Sequence, residues 1–566
     1  MSRVLFLLTI SPVQSFIAEA RKTQDLYSGS YILSHFCRKA ILTVEQKYKA
    51  VVIFPNTSTL TSLPNRFLAV INTQNPEKLK EIGKDVESVI QTEILAMTAH
   101  ILNSLNLPIH QELKQQVENY FQINWIFYPL EDHKFKEAFT QSEKYLNAIK
   151  NVKSFKQLAQ DGRKCSITGE HTALYYRKGE KNVRRAIAVH ENFPAKFLAE
   201  NEALGGIAFI KRCAEKFFMQ EYNSKFPSTA RIALMDALYE LSCKDDKYKN
   251  ILEKEFDEQG IFKLFHGIES DVEEFVKEIY KDFRKYEIKF SPYYVVLNFD
   301  GDSMGKLLTG KIGESELKPG VELEEFHKYL SMKLGLFAQK ARQEILVQPR
   351  GITVYAGGDD FLGLVNIKYL FDVLKELREE FESIVDLSNY IDGKLTFSAG
   401  ISISHYRTPL SEALSWSRSM EKASKEIDDY KNALGIALLK HSGEIKKFIY
   451  KWERNGTQFL DIMSKGISYM QNDFSDSFIK NFMLEFRGFM DAQGDIDYKV
   501  VDDHMIRVEL KRLIGRSYQY EDKKDAKKKT EAFTEVLYQL YSNSKKFDDF
   551  LSILDFLIFM KKRGEK

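Results

Sequence analysis

Two short apolar runs separated by two glycines and two aspartates are the feature that most constrains the fold of this chain. Residues 352–355 (ITVY) and 361–365 (FLGLV) are rich in β-branched and aromatic side chains, and residues 357–360 between them read Gly-Gly-Asp-Asp. Apolar runs of this length, joined by turn-forming residues, are typical of two antiparallel strands and a tight turn. The sequence therefore predicts a β-hairpin with two adjacent carboxylates at its tip.

The two carboxylates of this hairpin, Asp359 and Asp360, indicate a metal site. Adjacent like charges repel, and a turn that needs only a bend would be more stable with Asn-Gly. A bound divalent cation would neutralise the pair, and hard oxygen ligands favour Mg²⁺ or Mn²⁺. From this pair alone, ordinary turn-forming aspartates remain the alternative.

A second acidic loop follows another apolar run. Residues 293–299 (YYVVLNF) are typical of a central strand buried on both faces, and Asp300, Gly301 and Asp302 follow them. A helical pattern then begins over 303–308. We therefore expect Asp300 at a strand end and free backbone N–H groups at a helix start, which can bind phosphates. Taken alone, this loop fits a solvated helix cap equally well.

Together the hairpin and the acidic strand end predict a polymerase or cyclase palm. Carboxylates from a strand end and a neighbouring hairpin, converging on two cations, are the geometry of two-metal nucleotidyl transfer. One metal activates an attacking 3′ hydroxyl and the other holds the triphosphate, while the protein adds orientation and charge stabilisation. Asp300, Asp359 and Asp360 are the predicted metal ligands and catalytic residues.

Seven stretches spread along the chain carry a family resemblance. They are TISPVQSFIAEARKTQDLYSGSYILS (9–34), LPNRFLAVI (63–71), FPSTARIA (226–233), DGDSMGKLL (300–308), GGDDF (357–361), TFSAGISISHY (396–406) and NALGIALLKHSGE (432–444). In these stretches and their order the chain resembles the large, palm-containing subunit of type III CRISPR effector complexes, most closely the III-B (Cmr) subtype.

The resemblance implies a function. In that family, a complementary target RNA bound by an RNA-guided complex activates the palm, which joins ATP into cyclic oligoadenylates or related adenylylated messengers. The implied partners are other type III effector subunits, guide RNA (crRNA), target RNA and ATP. The implied nucleotide-binding residues are Gly301, Asp302, Ser303, Met304, Gly305, Gly357, Gly358 and Lys425.

Two other functions remain as alternatives. The subunit could be a scaffold that binds nucleotide without turning it over, although a scaffold has no reason to keep repelling carboxylates. The Gly-Gly-Asp-Asp hairpin is also similar to that of diguanylate-type cyclases, which lack the N-terminal and C-terminal matches. A product made only from GTP would favour that second alternative.

The N-terminal region repeats the pattern of the catalytic region. Residues 3–10 (RVLFLLTI) form a buried-type strand followed by a helical pattern, and LPNRFLAVI (63–71) aligns with GGDDFLGLV (357–365). In this alignment Asn65 and Arg66 stand where the second repeat has its aspartates. We therefore predict a second palm that cannot hold two metals and that serves as a structural or nucleotide-binding face. A proline-initiated turn is the simpler alternative.

The predicted fold class is α+β, with two ferredoxin-like palms, an intervening mixed helical domain and a C-terminal helical bundle. The predicted divisions are 1–110 for the inactive palm, 111–285 for the connecting domain, 286–445 for the catalytic palm and 446–566 for the bundle. Members of the similar family often bind zinc near the middle of the chain. Here the loop-rich region 161–192 keeps Cys165 but has Thr168 where a second cysteine would stand, so we expect no zinc.

Composition limits the remaining possibilities. The 566 residues include 82 basic and 80 acidic ones, so any nucleic-acid surface must be a local patch. Residues 507–529 hold nine basic residues, which fit either a phosphate-contacting edge or a solvated face. No apolar run approaches the roughly 20 residues of a membrane span, so we expect a cytoplasmic protein without a membrane partner. The absence of a His-Asp dipeptide predicts no HD-type DNase activity.

Overall fold

The computed structural model describes residues 3–56, 62–118, 120–131, 134–152, 161–177, 187–190, 192–218, 222–496, 501–520 and 523–562. Within them the chain forms two palms, a connecting region and a C-terminal helical bundle.

The first palm has the β-α-β-β-α-β order of a ferredoxin-like fold. Its elements are β1 (Arg3–Ser11), α1 (Gln14–Ala18), α2 (Thr23–Tyr48), β2 (Val51–Phe54), β3 (Arg66–Ile71), α3 (Pro76–Ser104), α4 (Gln111–Glu118), β4 (Gln122–Leu130) and α5 (Phe135–Asn151). The antiparallel sheet has the order β2-β3-β1-β4. The apolar run of β1 is buried along almost its whole length because it is a central strand.

The predicted division at residue 110 is wrong, because it cuts through this sheet. Strand β4 lies beyond that point, yet it pairs with β1 along its full length. Helix α5, predicted as part of the connecting domain, packs on β4 and so belongs to the first palm. Local sequence could show a strand and a helix here, but the partner of an edge strand is decided by pairing between distant segments.

The connecting region is mixed. Its elements are β5 (Tyr175–Arg177), β6 (Ile187–Val189), β7 (Ala203–Leu204), α6 (Gly206–Arg212), α7 (Thr229–Lys244), α8 (Glu258–Phe265) and α9 (Glu274–Lys285). A serine caps the start of α7, since the Ser228 hydroxyl accepts from the Arg231 N–H at 3.0 Å. Part of the loop-rich region 161–192 lies outside the described residues.

The second palm repeats the first and extends it. Its elements are β8 (Tyr293–Gly301), α10 (Met304–Leu307), β9 (Lys311–Ile312), β10 (Ser315–Glu316), α11 (Leu323–Lys340), β11 (Gly351–Ala356), β12 (Asp360–Asn366), α12 (Leu370–Ile384), β13 (Phe397–His405), α13 (Leu410–Lys425), β14 (Ala433–Leu439) and β15 (Ile445–Lys451). The sheet order is β11-β12-β8-β13-β14-β15, and its first four strands match the order of the first palm. The predicted fold of two ferredoxin-like palms is confirmed.

The predicted start of the bundle at residue 446 is also wrong. It falls inside β15, which pairs antiparallel with β14 over seven residue pairs, Ala433↔Lys451 to Leu439↔Ile445. Strand β14 is therefore an inner strand, and β15 is the edge strand of the sheet. Strand β15 has the sequence IKKFIYK, and its lysines are exposed or half-buried. A run this short does not distinguish a charged edge strand from the start of a helix, so the sequence pattern alone did not place the boundary.

The register of the two sheets confirms the predicted repeat. In the second palm, Asp360 is the first residue of β12 and lies opposite Asp300 of β8. In the first palm, Arg66 is the first residue of β3 and lies opposite Thr9 of β1. The first palm therefore has the cation of Arg66 where the second palm has Asp360, and the hydroxyl of Thr9 where the second palm has Asp300.

Helix α11 fixes the second palm on the first. The buried His327 ring packs edge-on against Phe135 and Phe139 of α5, with ring centroids 5.4 and 4.7 Å away. The Asn56 N–H donates to the Ser331 hydroxyl at 2.7 Å. These contacts make the two palms one packed unit.

The C-terminal region forms the predicted helical bundle. Its elements are the short strands β16 (Glu453–Arg454) and β17 (Thr457–Gln458), then α14 (Phe459–Asn472), α15 (Ser477–Arg487), α16 (Asp503–Arg516), α17 (Lys523–Asn543) and α18 (Phe547–Lys562). Several basic residues of 507–529 are ion-paired within the bundle: Arg507 with Glu535, Lys511 with Glu531, and Lys529 with Asp473. This pairing favours the solvated-face interpretation. None of the described helices is both long and apolar enough to cross a membrane.

Candidate active site

The hairpin turn requires both of its glycines. A Cβ atom at Gly357 would lie 1.7 Å from the Tyr355 hydroxyl, and Gly358 has a φ of +109°, which side chains rarely adopt. The Gly357 N–H donates to the Asp360 carbonyl at 2.9 Å and closes the turn. The two glycines therefore let β11 turn sharply into β12 and place the aspartates at its start.

The three predicted catalytic carboxylates lie at one edge of the sheet. Strand pairing puts Asp360 beside Asp300, and the Gly301 N–H donates to the Asp359 carbonyl at 2.9 Å. The hairpin turn lies so close to residue 301 that a Cβ atom there would come within 3.1 Å of the Asp359 Cβ, which explains why this residue is a glycine. The structure therefore places Asp300, Asp359 and Asp360 at the same edge of the sheet, and their role as metal ligands stays a prediction.

Negative charge accumulates at this edge. Crowding by protein atoms, followed by the nearby Asp300 charge, raises the pKa of both Asp359 and Asp360. Asp360 is nevertheless exposed at the mouth of a cleft, so water moderates the effect of crowding. A bound cation would cancel the part of this rise in pKa that comes from repulsion among the carboxylates.

Lys425, a predicted nucleotide-binding residue, lies inside the acidic cluster. Its ammonium contacts Asp300 and lies 3.0 Å from a Glu421 oxygen. Burial alone would lower the pKa of Lys425, but these two carboxylates outweigh it and raise the pKa. The lysine is thus a fixed cation at the end of α13, within the same cluster as the predicted metal ligands.

The donor set of the cluster suits Mg²⁺ or Mn²⁺, since it consists of hard carboxylate oxygens. In the described parts of the chain, no three His, Cys, Asp or Glu side chains are gathered closely enough to hold a metal ion as they stand. At this edge the Lys425 ammonium is in contact with the Asp300 carboxylate. Metal ligation by the three aspartates would therefore require Lys425 to release Asp300.

The carboxylate of Asp302, a predicted nucleotide-binding residue, forms hydrogen bonds within the protein. Its buried carboxylate accepts from the hydroxyls of Thr396 at 2.7 Å and Ser398 at 2.8 Å, and from the Asn432 N–H at 3.0 Å. Three donors of the protein therefore engage this carboxylate. Asp302 therefore holds the end of β8 against β13 and the loop before β14.

The predicted helix after the acidic loop is a single turn. It spans only Met304–Leu307, and Ser303 before it has a φ of +56°. A Cβ added at Gly305 would meet no other atom within 4 Å, so this turn borders open space. We expected the start of a longer helix with free N–H groups, and the structure has a single helical turn instead. The Met304 side chain packs against Gly301.

Helix α13 forms one wall of the cleft because two glycines let it approach the sheet. A Cβ at Gly400 would lie 1.9 Å from the Ser417 carbonyl, and one at Gly435 would lie 2.6 Å from the Met420 carbonyl. The lack of a side chain at Gly400 and Gly435 therefore lets the backbone of α13 come close to the sheet. The helix contributes the following cleft residues: Arg418, Glu421, Lys422, Lys425 and Glu426.

The other wall comes from the first palm. Val13, Gln14 and Ile17, at and beside α1, line the same cleft of about 480 Å³ as Asp300 and Asp360. These residues, together with Arg418 and Glu421, were not identified from the sequence. The spacing of 418, 421, 422 and 425 marks one helix face, but nothing in the local sequence of α1 shows what that helix faces.

Arg66 of the first palm also acts on the catalytic hairpin. It forms an ion pair with Glu143 of α5. Burial and Asp300 raise the pKa of Asp359, and the Arg66 charge opposes them. The first palm thus brings a positive charge towards the acidic turn.

Comparison with known proteins agrees with this architecture. Residues 293–435 match the family model for Cas10/Cmr2, second palm domain, and residues 5–102 match the model for CRISPR-associated protein Cmr2, N-terminal. These two parts of the chain are therefore similar to Cas10/Cmr2 proteins. The N-terminal match covers β1 to α3 of the first palm, and the second match covers the hairpin and α13 of the second palm.

Individual relatives cover most of the chain. The CRISPR system Cmr subunit Cmr2 of Pyrococcus furiosus is 23% identical over 630 aligned positions, which span 93% of this chain and 70% of that protein. Two type III-B Cmr-beta cryo-EM structures share the fold, one in the apo state and one bound to cognate target RNA. Their TM-scores are 0.67 and 0.68 at 14% and 13% identity, with 100% of this chain and 82% and 83% of those chains covered.

Proposed function

We propose that this chain is a Cas10/Cmr2-type subunit and a target-RNA-activated nucleotidyltransferase that joins ATP molecules into adenylate messengers, cyclic oligoadenylates or related compounds. The observation that carries the proposal is the strand register, which pairs Asp300 with Asp360 at a cleft between two palms, with Asp359 next to them in the hairpin turn. Three carboxylates beside a lysine and an arginine suit a triphosphate with bound divalent cations.

The proposed reaction is a simple displacement. The 3′ hydroxyl oxygen of one nucleotide forms a bond to the α-phosphorus of an ATP, the bond between the α- and β-phosphates breaks, and pyrophosphate leaves with the electron pair. The hydroxyl proton passes to water. Bound Mg²⁺ or Mn²⁺ would supply activation of the hydroxyl and neutralisation of the phosphates.

The chain's own residues have distinct parts in this proposal. Asp300, Asp359 and Asp360 would hold the cations, and Lys425, once released from Asp300, would pair with the triphosphate. Arg418 and Lys422 line the same cleft and add positive charge. The first palm supplies the opposite wall at Val13 to Ile17, which orients the nucleotide and limits the access of water.

The proposed partners are other type III effector subunits, guide RNA and target RNA. The matches to the two Cas10/Cmr2 family models and the shared fold with a Cmr-beta structure bound to cognate target RNA support them. A nucleotide-binding scaffold is the second candidate, and one observation favours it: the contact of Lys425 with Asp300, which occupies a predicted metal ligand.

Mass spectrometry of the products tests the proposal. The assembled complex is incubated with ATP, GTP and Mg²⁺, with and without complementary RNA, as wild type and as the Asp359→Ala/Asp360→Ala variant. We expect adenylate products only with target RNA and only in the wild type. The matched control is Asp392→Ala, which removes an exposed carboxylate of the same palm and should leave the products unchanged.

Two results would contradict the proposal. RNA-bound wild-type complex that forms no product from either nucleotide would favour the scaffold. A product made from GTP alone would favour the diguanylate-type alternative instead.

A further inference from the structure

Lys211 is a buried lysine of the connecting region whose ammonium lies against backbone carbonyls of the first palm. It belongs to α6 and is only 2% exposed. Its ammonium donates to the Phe16 carbonyl at 2.6 Å and also to the Glu19 carbonyl. The first carbonyl lies in α1, and the second belongs to the residue that follows this helix. Because a buried charge is costly unless it is hydrogen-bonded, these contacts are what keep the lysine in this place.

The end of α1 needs such a donor because the helix is short. It ends at Ala18, so its last carbonyl groups have no partner one turn further along the helix. A lysine near a helix end can satisfy these groups. Burial lowers the pKa of Lys211 to about 8, so the side chain is still mainly a cation at neutral pH. Lys211 therefore caps α1 from another region of the chain.

Gly29 of α2 lets α1 and the lysine pack at the same place. A Cβ atom at this residue would lie 3.2 Å from the Ile17 Cα and 3.3 Å from the Lys211 Cδ. Both distances are shorter than ordinary van der Waals contact, so even a methyl group would push α1 or the lysine away. The Lys211 ammonium also lies 5.0 Å from the centre of the Phe16 ring. Helix α2 and Lys211 together fix the position of α1.

The segment that Lys211 holds is one wall of the cleft. Val13, Gln14 and Ile17 line the cleft beside the predicted metal ligands. Ile17 directly follows Phe16, whose carbonyl Lys211 binds. Among the described residues that line this cleft, none belongs to the connecting region. Helix α6 therefore acts on the cleft through the backbone of the first palm.

We propose that Lys211 is a positioning residue for nucleotide binding, which holds α1 where the cleft wall fits a nucleoside triphosphate. The connecting region thereby sets the affinity of the cleft for its nucleotide. The inference rests on the proposed function, because it concerns how that same cleft binds ATP. It gives the connecting region a part in nucleotide binding from outside the cleft.

Equilibrium binding tests this inference without turnover. The probe is α,β-methylene ATP, titrated with Mg²⁺ into the assembled, target-RNA-bound complex as wild type and as Lys211→Met. This variant keeps an unbranched apolar side chain and removes both hydrogen bonds. We expect binding to be about tenfold weaker, because a displaced wall no longer orients the nucleotide. A loss of stability alone would not change the affinity of the folded complex.

Gly29→Ala is a second variant, which carries the test if Lys211→Met does not fold. It keeps the lysine and presses a methyl group against Ile17, while the replacement of glycine favours the helix α2. We expect binding of the probe to be weaker by about threefold or more. In turnover, both variants should raise KM for ATP and leave kcat nearly unchanged, because the predicted catalytic carboxylates belong to the second palm.

The matched control is Lys22→Met. Lys22 donates to the Ala195 and Lys196 carbonyls at 3.1 and 2.9 Å, so it also joins the first palm to the connecting region. It is not among the described residues that line the cleft. Its loss should leave the affinity for the probe nearly unchanged. Circular dichroism melting checks that all variants remain folded.

Three outcomes overturn the inference: a wild-type complex that does not bind the probe, unchanged affinity in the folded Lys211→Met and Gly29→Ala variants, or equal weakening in Lys22→Met. Failure of the proposed function is a different result. A complex that forms no product but binds the probe with an affinity that depends on Lys211 would keep this inference and lose the reaction.

Discussion

At the scale of single residues, the geometry of the hairpin depends on backbone freedom that only glycine has. Gly358 adopts a φ of +109° immediately before the acidic pair, and Gly357 leaves room for the Tyr355 hydroxyl. The position of the two carboxylates relative to Asp300 follows from this turn. Strain at the turn should therefore affect chemistry more than stability.

The Gly358→Ala variant tests this dependence. We expect a stability loss of about 1–2 kcal/mol from the strained backbone and at least a tenfold loss of product formation, because the aspartates shift. Product formation and thermal unfolding of the complex measure the two effects.

Gly443→Ala is the matched control. Gly443 has a φ of +88° with no neighbour within 4 Å, in the turn between β14 and β15. It should show a comparable stability loss with product formation unchanged. Equal loss of product in both variants would show that the turn at Gly358 has no special role.

At the scale of elements, α11 joins the palms through a buried histidine. Burial lowers the pKa of His327 to about 4, and its Nε2–H donates to the Leu308 carbonyl at 2.8 Å. The folded protein therefore keeps His327 neutral at pH values where the unfolded chain, with a pKa of about 6.5, binds a proton. The unfolded state binds more protons between these values, so acid destabilises the folded state in that window.

The expected result is a melting temperature that falls as the pH is lowered from 7 to 5. The contribution of His327 reaches about 1.4 kcal/mol per pH unit below 6.5. His327→Gln cannot take up that proton, so its melting temperature should depend less steeply on pH. Equal slopes for the variant and the wild type would exclude His327 as the source.

At the scale of the whole molecule, a buried ionic network joins the connecting region to the first palm. Arg212 of α6 forms ion pairs with Asp25 of α2 and with Glu202, and all three side chains are almost fully buried. Asp25 also accepts from the backbone N–H groups of Arg21 and Lys22, just after α1. The network therefore fixes the segment that leads from the wall of the cleft.

Asp25→Ala should destabilise the protein by about 3–5 kcal/mol, because it leaves the Arg212 charge buried without this partner. Thermal or chemical unfolding of the full chain measures the loss. Asp85→Ala is the control, since it removes a partly exposed ion pair with Lys47 and a hydrogen bond from the Tyr48 hydroxyl, and it should cost about 1 kcal/mol. A similar small loss in both variants would contradict the structural role of the network.

The sequence by itself determined the elements whose signals are local. Glycine and aspartate between apolar runs predicted the hairpin, and an apolar run ending in Asp300 predicted the central strand. The alignment of Asn65 and Arg66 with the acidic pair predicted the second palm. Each of these patterns depends on backbone conformation or burial within a few residues, so sequence was sufficient.

Only the tertiary structure decided which segments meet. It assigned β4 and α5 to the first palm, placed α1 opposite α13, and turned Asp302 inward to three donors. It also paired several of the basic residues of 507–529 with carboxylates of the bundle. Pairing and packing between distant segments follow from the total of many weak contacts, which no local pattern contains.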